Sequence, residues 1–140
     1  MRPLTDSTAL LDNGPALRAR AKEDGYLFVR GLLPVDAVDA VGADLAQVMV
    51  RHQWIEPNKP LASARANLDK RCVEPQPPFM DVFYEQLSCK SVHALKMHTR
   101  LMSLFEALFA ETPFCTPHCV MRLAFPSMDA YATPAHQDYV

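Results

Sequence analysis

The chain has 140 residues, 49% of them hydrophobic, which is enough apolar surface for one domain with a core. Its 14 basic and 16 acidic side chains are scattered without long like-charge blocks, which argues against the broad positive field that draws nucleic acid or an anionic membrane. No apolar run approaches the ~18 residues that span a bilayer or has the form of an export signal. The expectation is a cytoplasmic protein with no nucleic-acid and no membrane partner.

In chain order, the segment opened by Gly14-Pro15 predicts a short helix, with Pro in its first turn and Gly25 as its C-terminal cap. "YLFVRGLL" follows, aromatic and β-branched over a short length, and predicts a buried strand over residues 26–30, ended by Gly31. From Pro34, Val38, Val41, Leu45 and Val48 recur at spacings of three and four while Asp36, Asp39 and Asp44 fall largely elsewhere, predicting an amphipathic helix. Its early aspartates suit the positive end of the helix dipole. Gly42 inside it implies close packing or local weakness.

Residues 54–78 carry five of the 12 prolines and no sustained periodicity, so they predict a long irregular loop, a kind of segment that often carries function. Its Lys59, Arg65, Lys70 and Arg71 are candidate contacts for an anionic substrate such as an acyl-CoA. Beyond it, "FMDVFYEQL" predicts a short helix. "SVHALKMHTRLMSLFEALFAE" predicts a longer one, capped by Ser91, with Leu95, His98, Met102, Phe105 and Phe109 on one stripe and Thr112-Pro113 as its stop. The chain then changes character. "CVMRLAF", residues 119–125, predicts a strand; residues 126–134 read as a loop and 136–140 as the start of another strand.

These elements predict an α+β fold, helices first and strands last. The final strand has no partner within the sequence, so the expectation is a single domain that is incomplete at its C-terminus, with an open sheet edge suited to self-association. Cys72, Cys89, Cys115 and Cys119, without an export signal, are expected as reduced thiols.

Among residues that could carry chemistry, His136 and Asp138 stand out. In a strand, side chains at i and i+2 share a face, so an imidazole and a carboxylate can converge on one ion. With a second histidine they make a facial triad that holds Fe(II) and leaves three positions open. A bare His-x-Asp recurs by chance and is weak on its own. Arg122, one strand earlier, is a second candidate, a cation facing an anionic substrate or co-substrate. A zinc reading of Cys115, His118 and Cys119 is disfavoured because the spacing is unlike that of zinc modules. His93 and His98 lie roughly 140° apart around a helix and do not face one ion together.

From "DGYLFVRGLLPVDAVDAVGADL" through "MRLAFP" to "TPAHQDYV", the chain resembles the N-terminal half of a phytanoyl-CoA dioxygenase family protein. The resembling features are the Gly-Tyr-x-x-x-x-Gly stretch from Gly25 to Gly31, the helix opened by "LPVDAVDAV", a second helical block, and His136-Gln137-Asp138 after a Pro-containing loop. The resemblance implies an Fe(II)- and 2-oxoglutarate-dependent oxygenase built on a double-stranded β-helix (jelly roll), with His136 and Asp138 as proximal metal ligands. It places the distal histidine and the 2-oxoglutarate-binding arginine beyond Val140, so residues 1–140 alone are expected to be inactive. Retention of Asp138 implies hydroxylation rather than halogenation, of a small-molecule or acyl substrate with O2. The competing expectation is a non-catalytic truncated paralogue or interaction module of the same fold.

Overall fold

In the computed structural model, residues 3–59 and 61–126 are described. The first helix, α1 (Gly14–Asp24), starts and stops on local chemistry. The Asn13 side chain accepts from Ala16 N at 3.1 Å, Pro15 sits in the first turn where a missing N–H costs nothing, and Gly25 ends the helix in the left-handed region at φ 74°. The other helices are α2 (Val35–Arg51), α3 (Pro77–Leu87), α4 (Lys90–Lys96) and α5 (Thr99–Phe109), with short 3-10 turns at Thr8–Leu10, Leu61–Ser63 and Leu68–Lys70.

Two compact units divide the chain, one formed by Met1–Val41 with Lys90–His118 and the other by Gly42–Cys89 with Cys119–Val140. In the first, α1 packs on α5. Leu17 of α1 is fully buried there, and Arg18 Nη1 donates to the Ala107 carbonyl at 2.6 Å, placing a cation at the negative end of α5. Gly14 permits this approach, because a Cβ there would stand 3.1 Å from the same carbonyl oxygen. Lys96 Nζ donates to the carbonyls of Thr116 and Pro117, tying the segment after α5 to the end of α4.

In the second unit the core is a cluster of Val48, Trp54, Cys72, Phe79, Val82 and Phe125. Trp54 lies at its centre, 4.8 Å from the Phe125 ring and 6.1 Å from that of Phe79. Aromatic pairs at such separations contribute about 0.5–1.5 kcal/mol beyond area burial. Gln86 is also fully buried, and its Nε2 reaches the Leu45 carbonyl at 3.5 Å.

The helical expectations need one revision, and the α+β fold is overturned. The predicted helix from Ser91 onward is two helices, not one. His98 leaves helical geometry at ψ 134°, and its ring Nδ1 accepts from Arg100 N at 3.2 Å. His98 is therefore the N-cap of α5 and not a member of an apolar stripe, while Ser91 lies inside α4. Helix α5 ends at Ala110, left-handed at φ 60°. Nothing stands within 4 Å of a Cβ built on Gly42, so no close packing requires that glycine; the boundary between the units falls beside it.

No β-strand occurs among the described residues, and the jelly-roll strands expected there are absent. Residues 26–30 form a single parallel bridge, Asp6 to Phe28, in which Ser7 N donates to the Phe28 carbonyl at 2.7 Å. Arg30 N then donates to Thr8 Oγ1, and the left-handed Gly31 (φ 61°) ends the pairing. Residues 119–125 keep the burial alternation of a strand, with Cys119, Met121, Leu123 and Phe125 more buried than Val120, Arg122 and Ala124. Alternation requires only a surface to pack on, and the cluster around Trp54 provides one. A strand also requires a ladder of backbone partners, and none of the described residues offers one. The strand predicted for 136–140 lies outside the described residues.

Candidate functional site

Residues 121–125 line a cavity of about 370 Å³. Its apolar lining includes Met121, Leu123, Phe125, Val73, Pro75 and Phe79, and Arg122 and Glu74 supply the charged groups. Arg122 is exposed and takes part in a polar interaction, so it is a cation on an otherwise largely apolar cavity. Cys72, also in the lining, is buried, and burial pushes its thiol above the ordinary value. It is held as a thiol and is a poor nucleophile.

A second polar arrangement joins the end of α2 to α3. His52 Nε2 lies 2.6 Å from Glu85 Oε2, while Arg51 donates to the other carboxylate oxygen through Nε at 2.9 Å and also through Nη2. The hydrogen bond from His52, and then those from Arg51, hold the Glu85 carboxyl below its ordinary value. An ionised carboxylate only accepts, so Nε2 of His52 carries the shared proton and the ring is fixed in orientation.

Sequence reasoning missed this triad of side chains. The signals were slight: basic residues in the last turn of a predicted helix, and a glutamate in a predicted helix 33 residues later. No local pattern connects residues so far apart.

The structure places the predicted site residues as follows. Arg122 lines the cavity described above; His136 and Asp138 lie outside the described residues. His98 caps α5, and His93 lies on α4. Cys115 and Cys119 are half-buried and free, while His118 is exposed. Among the described residues no group of three His, Cys, Asp or Glu side chains could hold a metal ion. Of the loop cations, Lys59 is paired with Glu56, and Arg65 lines an open cavity that also contains Glu56 and Asp69. Lys70 and Arg71 line a different cavity, together with His52.

No described helix is long and apolar enough to cross a membrane. Compared with protein families, curated proteins and solved structures, the chain finds no match.

Proposed function

We propose that this chain supplies the first two metal ligands, His136 and Asp138, of an Fe(II)- and 2-oxoglutarate-dependent dioxygenase of the phytanoyl-CoA dioxygenase type. The reaction is hydroxylation of a small-molecule or acyl substrate with O2. The observation that carries the reading is the His136-Gln137-Asp138 sequence after a Pro-containing loop, preceded by the ordered series of N-terminal elements. A neutral imidazole and a carboxylate are the donor types such a centre uses.

Two structural features support it. Gly25 and Gly31, the ends of the Gly-Tyr-x-x-x-x-Gly stretch, both occupy left-handed backbone, which gives that spacing a physical reason and leads the chain into α2. Arg122 lies, with Glu74, in the lining of a cavity whose other residues are apolar, and its guanidinium is the group that would meet the carboxylate of an amphiphilic compound. Bound iron supplies the oxidising chemistry. The protein's part is to hold it and to orient the anionic group.

The test uses a polypeptide that continues through the family's closing histidine. His136→Ala and Asp138→Ala should each abolish iron-dependent 2-oxoglutarate consumption and weaken Fe(II) binding measured by anaerobic titration. Wild-type consumption retained in both variants places the ligands elsewhere. A wild-type protein that binds no Fe(II) leaves the non-catalytic interaction module standing instead.

A further inference from the structure

The 3-10 turn Leu68–Lys70 is clamped beside the end of α2 by one residue, Asn67. Its backbone N–H donates to the Trp54 carbonyl at 2.7 Å, and its Nδ2 donates to the Gln53 carbonyl at 3.0 Å. Its Oδ1 meanwhile accepts from Asp69 N, capping the turn. The antiparallel bridge between Ile55 and Ala66 adds a further tie. These contacts bring Lys70 and Arg71 to the residues adjoining His52, and all three line a cavity of about 580 Å³. That volume lies in the range of small-molecule sites.

The charges of this cavity are not used up internally. Arg20, Arg30, Arg51 and Lys59 each have a carboxylate partner, whereas Lys70 and Arg71 make no ion pair among the described residues. Both are exposed at the rim. His52 is the third basic side chain, held in place by Glu85. Asp69 is the opposing charge in the lining. The start of α3 adds the positive end of an 11-residue helix, but Pro77 and Pro78 have no N–H and Phe79 N already bonds to the Gln76 carbonyl. The side chains, not helix N–H groups, must therefore recognise a ligand. Arg presents a planar fork and Lys a mobile point charge, a pairing that suits a phosphate group.

We propose that this cavity binds a phosphate group, with Lys70 and Arg71 as its principal contacts and Asp69 limiting its affinity. The assignment does not depend on the iron reading, because it uses none of the candidate metal ligands.

The experiment is calorimetric titration of the chain with inorganic pyrophosphate at low salt, on wild type and three variants. Lys70→Ala/Arg71→Ala should weaken binding by roughly tenfold or more. Asp69→Asn should tighten it by about two- to fivefold. Lys59→Ala/Arg65→Ala, which changes net charge equally but elsewhere on the loop, should leave affinity within about twofold. Circular dichroism melting checks that each variant folds; both cations are exposed, so their loss is expected to leave the melting temperature unchanged. Equal weakening by the two double variants reduces the effect to diffuse charge and overturns the site, as does pyrophosphate binding indifferent to Lys70 and Arg71. Cosedimentation with phosphatidate vesicles then distinguishes sources: Arg71-dependent pelleting assigns the phosphate to a lipid headgroup, and pyrophosphate binding without pelleting assigns it to a soluble compound.

Discussion

The two compact units bury their side chains in different ways. The unit built on α1, α4 and α5 is mostly helix, yet among the described residues its fully buried side chains are Leu17 and Ser7, and Phe105, Phe109 and Phe114 are exposed. It is tied by caps, by the Arg18 to Ala107 bond and by Lys96 on two carbonyls. The other unit contains the irregular stretch between α2 and α3, yet it holds the aromatic cluster and the cavities with Arg122, Lys70 and Arg71. Regular secondary structure and a dense core are thus separable. Helices satisfy their own backbone, whereas an irregular loop persists only where side chains such as Trp54 and Asn67 fix it.

The sharpest way to break this contrast is Trp54→Ala, which removes the ring at the centre of the cluster. A loss of about 3–5 kcal/mol is expected, as for other buried aromatics. Because this is the protein's one tryptophan, the measurement is urea denaturation followed by circular dichroism rather than fluorescence. A cost near zero would mean that the cluster does not organise the loop.

Leu17→Ala tests the other unit. It removes a fully buried side chain that lies outside the aromatic cluster, and an expected loss of about 2–4 kcal/mol by the same measurement keeps it below Trp54→Ala. If Leu17→Ala proves the more costly, the helical unit is the better packed of the two.

The smallest effect belongs to Glu85→Gln. The carboxylate is partly exposed, so the change should cost less than about 1 kcal/mol at neutral pH. Glu85 is held below its ordinary value in the folded state by His52 and then Arg51, so its contribution is present above the unfolded carboxylate pKa. It is lost as pH falls through the lowered folded value. Denaturation at neutral and strongly acid pH should show the wild-type advantage shrinking in acid; an advantage that grows there would refute the assigned linkage.

His136 and Asp138 were read from a tripeptide and a resemblance and lie outside the described residues; Arg122 was read from its place before them, and it lines a cavity together with Glu74. The four loop cations were read together because composition cannot separate them. Folding did so: Lys59 found Glu56, while Asn67 delivered Lys70 and Arg71 to His52.

What the sequence determined by itself was local. Asn13-Gly14-Pro15 and Gly25 set the bounds of α1, and the spacing of Val38, Val41, Leu45 and Val48 set α2, because caps and helical hydrogen bonds close within four residues. Tertiary structure decided what depends on distant partners. It stopped residues 26–30 at a single bridge and, among the described residues, gave 119–125 a surface to pack on but no backbone ladder. It also assembled Glu85 with Arg51 and His52. Period-two patterning specifies which side chains turn inward, but a strand exists only when another backbone satisfies its N–H and C=O groups, and no pattern within one segment can supply that second backbone.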